Sequence, residues 1–128
     1  MATIRAHARI NRSADDVWKV VSDAGNMDWF VGVEACSLKG TTRSVTFAGG
    51  ITVDEEIITN DDELRRFQYR IVGGAMPVES HLGTIDVLDE GDGAILIYST
   101  DVTPDGLAKP MRSSVRRAVE GLKSHLEG

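Results

Sequence analysis

Six short strand-like stretches follow one another between Val33 and Val102, with only turns between them. That succession constrains the fold more than any other feature, because consecutive strands joined by turns pair antiparallel as a meander. The central part, Val53 to Leu88, carries three of the strands. They are separated by the turns Asn60-Asp61-Asp62-Glu63 and Gly73-Gly74-Ala75-Met76-Pro77. Period-two alternation sorts the side chains here. Val53, Glu55 and Ile57 share one face; Phe67, Tyr69 and Ile71 share another; His81, Ile85 and Val87 share a third. A carboxylate, a phenol and an imidazole thus fall in phase with apolar neighbours. If the strands wrap a cavity, Glu55, Tyr69 and His81 are its polar groups. For Glu55 the competing reading is a solvated Asp54-Glu55-Glu56 run, and for His81 a satisfied core histidine.

The flanking segments complete the pattern. Thr3 to Ile10 alternates with Ile4, Ala6, Ala8 and Ile10 on one face, and His7 with the arginines on the other. Ser13 is a good helix N-cap, followed by two acids in the first turn and by Ala14, Val17, Trp18 and Val21 at helical spacing. The helix is expected to end near Asp23-Ala24-Gly25-Asn26, and Met27 to Val31 reads as a second short helical turn carrying Trp29 and Phe30. Trp18 reads as core; Trp29 and Phe30 suit either the core or a cavity rim. Arg43 to Ala48 is a strand with Val45 and Phe47 on one face, and Ala48-Gly49-Gly50 a tight turn. In Ala94 to Val102 the run Ile95-Leu96-Ile97 hides the parity, so Tyr98 and Ser99 stay unassigned. After Thr103-Pro104-Asp105-Gly106 a long helix bears an apolar stripe of Leu107, Met111, Val115, Ala118, Val119, Leu122 and Leu126, interrupted by Gly121. The class is α+β. A long helix lying across a curved sheet leaves a cavity wherever the two do not collapse together, and seven aromatic residues in 128 are few to fill it.

Length and composition bound the function. At 128 residues, 41% hydrophobic and 27% charged, the chain fits one domain, 1–128, with one core. A net charge of −6 argues against nucleic acid as a partner. The lone Cys36 excludes an internal disulfide, and no signal peptide or apolar span is evident, so a cytoplasmic protein is expected. His7, His81 and His125 lie far apart without paired metal-ligand spacing, so no metal is expected, and no motif calls for a cofactor.

The order of these motifs resembles a known family. Ser13-Ala14-Asp15-Asp16-Val17-Trp18, Asp23 to Trp29, Val53-Asp54-Glu55-Glu56-Ile57, Phe67-Gln68-Tyr69-Arg70-Ile71, Pro77-Val78 and Val102-Thr103-Pro104 resemble the START-like, Bet v 1-like helix-grip (SRPBCC) superfamily, in its polyketide cyclase/dehydrase branch. The resemblance implies a curved seven-stranded antiparallel sheet wrapped around a long C-terminal helix, with two short helices after the first strand. From Glu55 to Val87 the chain is also similar to plant abscisic-acid receptors. That likeness implies a ligand-facing ridge of Met111, Val115 and Val119, a latch-like loop at Gly73 to Pro77 and a gate at Ala48 to Gly50. The gate is only Ala-Gly-Gly, and no lysine near Val31 is placed to pair with a ligand carboxylate. A bacterial-type small-molecule binder is therefore implied rather than a hormone receptor.

Three functions follow as expectations. The first is a monomeric or homodimeric module that binds a small hydrophobic, lipid-like or polyketide-like molecule through Trp29, Phe30, Phe67, Tyr69, Met76, Met111, Val115 and Val119. The second is a cofactor-independent cyclase or dehydratase using Glu55 or His81 as general base, with Tyr69 or Tyr98 stabilising an enolate. The third is a protein-interaction domain with a vestigial cavity.

Overall fold

The computed structural model describes all of residues 1–128. Seven antiparallel strands form one curved sheet, in the spatial order β1-β7-β6-β5-β4-β3-β2. They are β1 (Ala2–Ile10), β2 (Val33–Lys39), β3 (Thr42–Phe47), β4 (Ile51–Asp61), β5 (Arg66–Gly74), β6 (Ser80–Glu90) and β7 (Gly93–Thr103). Strands β2 to β7 are the expected meander, each paired with the next in sequence. Strand β1 closes the far edge against β7, with Ile4 opposite Thr100. The alternation is realised: Ile4 and Ile10 are buried, while His7 and Arg9 are exposed.

Helix α1 (Ala14–Val21) starts where Ser13 Oγ accepts the Asp16 N–H at 3.1 Å. It buries Ala14, Val17, Trp18 and Val21, and Trp18 Nε1 donates to Asp62 at 2.8 Å. Only one short helix follows β1, not two. Residues 22–32 run as successive turns, such as Phe30 N–H to Met27 C=O at 2.9 Å. The reason is local: Met27, Trp29 and Phe30 are all buried, and i, i+2, i+3 spacing does not place three side chains on one face of a single helical turn.

Helix α2 (Ala108–Glu127), entered through a single 3-10 turn at Asp105–Leu107, lies across the concave side of the sheet. Its buried stripe is Met111, Val115, Ala118, Val119, Leu122 and Leu126. Lys123 Nζ donates to Arg9 C=O at 2.6 Å, and Arg12 Nη1 to Leu126 C=O at 2.8 Å, tying the C-terminal half of the helix to the end of β1. Gly121, a poor helix former, sits where the 22–32 connection crosses the helix. A Cβ there would lie 2.7 Å from Trp29 C=O and 2.9 Å from Val31 Cγ2. No helix is long and apolar enough to cross a membrane.

The sheet bends at two irregularities in the β4–β5 pairing, one between Asp54 and Glu55 and one between Ile57 and Thr59. The β5–β6 ladder is short. It runs from Arg66–Asp86 to Tyr69–Gly83 and stops, while β6 stays paired with β7 as far as Ser80. Beyond Gly83, β5 and β6 part, and the cavity lies over this part of the sheet.

Candidate functional site

A cavity lies between the concave face of the sheet and the N-terminal half of α2. The space open to the centre of a water molecule inside it is about 70 Å³. Ten of its fourteen lining residues are hydrophobic, among them Phe30, Met76, Met111 and Val115. Its polar groups come from adjacent strands: Glu55 on β4, Tyr69 on β5, His81 on β6, Tyr98 and Thr100 on β7. Ser114 of α2 completes them near the rim.

Glu55 and Arg43 face each other directly across β3 and β4. Both are 4% exposed. Arg43 Nη2 and Nε donate to the same oxygen, Glu55 Oε1, at 2.6 and 2.9 Å, and Nη1 donates to Ala24 C=O at 3.1 Å. The guanidinium carbon lies 5.3 Å from the ring centres of both Phe67 and Tyr69, which receive the cation on their faces. Glu55 Oε2 is left without a protein donor, on a side chain that lines the cavity. Burial pushes the Glu55 carboxyl above its ordinary range, and the guanidinium pulls it back only in part.

His81 is fixed in one tautomer by the parting of β5 and β6. Two residues beyond the last ladder pair, the Ile71 N–H donates to His81 Nδ1 at 3.1 Å. The side chain thus replaces a missing ladder acceptor. A nitrogen that accepts cannot carry a proton, so in the neutral ring Nε2 bears it. Nε2 has no acceptor in the protein, and the ring lines the cavity. Burial lowers the pKa to about 4, so His81 stays neutral near pH 7 and presents an N–H donor rather than a base.

Tyr69 and Tyr98 hydroxyls hydrogen-bond to each other. Burial raises both phenols above their ordinary range, and both remain protonated. One hydroxyl donates to the other, so one phenolic proton of the pair remains to be shared. The Tyr69 ring packs on Gly83, where a Cβ would stand 2.5 Å from Cε1, and its centre is 5.4 Å from that of His81.

The fold brings Glu55, Tyr69, His81, Phe30, Met76, Met111 and Val115 together around this one cavity. It places Trp29, Phe67 and Val119 elsewhere. Phe67 is 1% exposed and lies under the Arg43 guanidinium, Val119 is in the core, and Trp29 packs where the 22–32 connection meets α2. Trp29 and Phe67 instead border a separate small void of about 10 Å³. Trp29 Nε1 is buried without an acceptor. Sequence reasoning missed Arg43, although it is in phase with Val45 and Phe47 just as Glu55 is with Val53. It left Tyr98 open because a strand apolar on both sides shows no parity; the structure turns Tyr98 and Thr100 inward.

Residues 1–127 match the family model described as "Polyketide cyclase / dehydrase and lipid transport". The chain belongs to this family. Its helix-grip architecture is shared with solved structures of low sequence identity. The protein XoxI from Bacillus cereus superposes with a TM-score of 0.93 at 21% identity, covering 99% of this chain and 96% of that one. An uncharacterised protein from Bacillus thuringiensis gives 0.91 at 22%, covering 99% and 100%. Norcoclaurine synthase from Thalictrum flavum, solved with dopamine and hydroxybenzaldehyde, gives 0.78 at 23%, covering 98% and 86%. No curated protein matches the sequence significantly. These likenesses establish the Bet v 1-like helix-grip fold.

Proposed function

We propose that this protein binds a small, largely apolar molecule in the cavity between the sheet and α2. The observation that carries the reading is the mixed lining. Apolar walls reward burial at about 25 cal/mol per Å², while Glu55 Oε2 and His81 Nε2–H supply an acceptor and a donor left unused by the protein. Apolar pockets with a few convergent polar groups are how proteins orient small ligands. Membership of a cyclase, dehydrase and lipid-transport family supports the same reading.

A second reading, cofactor-independent catalysis, has one specific observation in its favour. A buried carboxylate of raised pKa with one free oxygen facing a cavity is suited to take a proton from carbon. In that case Glu55 is the base, and His81 and the Tyr69–Tyr98 pair hydrogen-bond the developing enolate, since the His81 tautomer makes it a donor.

Toluene titration followed by amide chemical shifts tests the binding reading. Saturable shifts at Ile71, His81, Thr100 and Val115 are expected, and Val115→Trp, which fills the cavity, abolishes them. A wild-type protein whose cavity residues respond to neither toluene nor 4-ethylphenol sinks the reading.

A further inference from the structure

We propose that the cavity selects an uncharged molecule no larger than a single substituted ring, bearing a hydroxyl or amide donor, and that it rejects carboxylic acids. The inference rests on the binding role above and names the class of ligand.

The charge inventory of the lining is the first argument. Among the fourteen lining residues Glu55 is the single acid, held in an ion pair with Arg43, and none is lysine or arginine. In the guanidinium of Arg43 every nitrogen already donates to the protein. It spends two nitrogens on Glu55 Oε1 and the third on Ala24 C=O, between the Phe67 and Tyr69 rings and outside the cavity wall. His81 does not supply a cation either. A second ring proton has to go on Nδ1, which already takes the Ile71 N–H, and burial opposes the charge.

A bound carboxylate would therefore meet Glu55 Oε2 with no counter-ion. Burying an unpaired charge is far costlier than burying a hydroxyl. A bound ammonium fares little better, because the Glu55 charge is already balanced by Arg43 and the cation would leave a net positive charge in an apolar enclosure. A neutral donor avoids both costs. Its O–H or N–H gives Oε2 the hydrogen bond that the protein does not, and an oxygen on the same molecule accepts from His81 Nε2–H.

Size is the second argument. The space of about 70 Å³ is roughly half that of the ~150 Å³ apolar cavity known to take up benzene. A single ring is thus the upper limit, reached with modest movement at the rim near Met76 and Ser114. A fused-ring polyketide or a fatty acyl chain would need several times this space.

The experiment is a set of amide-shift titrations with near-isosteric compounds: toluene, 4-ethylphenol, 4-methylbenzoate and 4-methylbenzylamine at pH 7, with 1-octanol as the long-chain comparison. The expected result is a Kd for 4-ethylphenol about tenfold or more below those of both ions, and no tighter binding of 1-octanol. Glu55→Gln, which removes the charge and keeps the shape, is expected to narrow the gap between phenol and benzoate. The wild-type series decides the matter by itself if that variant does not fold. Benzoate or benzylamine binding as tightly as the phenol, or octanol binding tighter, overturns the inference. Toluene bound with a flat polar series refutes the selectivity and leaves the binding role standing. Neither toluene nor 4-ethylphenol bound removes both.

Discussion

Replacing Arg43 by methionine isolates the interaction at the centre of the site. The substitution keeps an apolar chain of similar length against the Phe67 and Tyr69 faces but removes the guanidinium. Glu55, 4% exposed, then loses both donors to Oε1, and Ala24 C=O loses its 3.1 Å partner. Removing one member of a buried ion pair costs about 3–5 kcal/mol, because the remaining charge is stranded. The orphaned carbonyl adds about 1 kcal/mol. The double variant Arg43→Met/Glu55→Leu removes the stranded charge as well and is expected to recover most of the loss, since hydrophobic replacement of a buried pair is often close to neutral. The loss in the single variant also depends on pH. Glu55 already has a folded-state pKa above its ordinary value, and without Arg43 it rises further. A carboxyl with a raised folded pKa favours the folded state at low pH and loses that advantage as pH rises through the folded pKa. The single variant's deficit is therefore largest at pH 7 to 8 and shrinks toward pH 4.5. Urea unfolding of all three proteins at pH 5 and pH 7.5 measures both effects. A loss under about 1 kcal/mol at pH 7.5, or a double variant no more stable than the single, refutes the assignment of Arg43 and Glu55 as a mutually dependent buried pair.

Three further predictions follow from the same geometry. His81 has a folded pKa of about 4 against an ordinary 6.5, so its neutral form is the one the fold accommodates. Its contribution is complete above pH 6.5 and declines by up to about 3 kcal/mol as pH falls to 4. Subtracting the pH–stability curve of His81→Phe from that of wild type gives this slope, and a flat difference contradicts the buried neutral tautomer. Gly121→Ala is expected to destabilise by about 1–3 kcal/mol, despite a helix-propensity gain of about 1 kcal/mol, because the new Cβ meets Trp29 C=O and Val31. A higher melting temperature disproves the close crossing. Gly83→Ala drives a methyl into the Tyr69 ring and is expected to separate the Tyr69 and Tyr98 hydroxyls, with a similar loss of stability and altered ring shifts of both tyrosines. Unchanged tyrosine spectra contradict that packing.

What the sequence by itself determined is the set of elements and most of their inward faces. Strand alternation and the α2 stripe are local, repeating patterns, and burial enforces them everywhere on the sheet, so Glu55, Tyr69 and His81 could be aimed inward from their phase alone. The family motifs added the order in which sheet and helix are arranged. The residues 22–32 broke the pattern because Met27, Trp29 and Phe30 bury in different directions, which no helical or strand period describes. Only the tertiary structure decided which inward groups meet. Arg43 shares the phase of Val45 and Phe47, but only the pairing of β3 with β4 sets it opposite Glu55. His81 becomes a donor only because β5 and β6 part and leave the Ile71 N–H in need of an acceptor. Trp29, Phe67 and Val119 are as inward as any cavity residue. The curvature of the sheet and the crossing of α2 nonetheless close the core around them and leave open space beside Glu55 and His81. Whether an inward side chain meets a neighbour or a void depends on distances between elements remote in sequence, and a one-dimensional period carries no information about those.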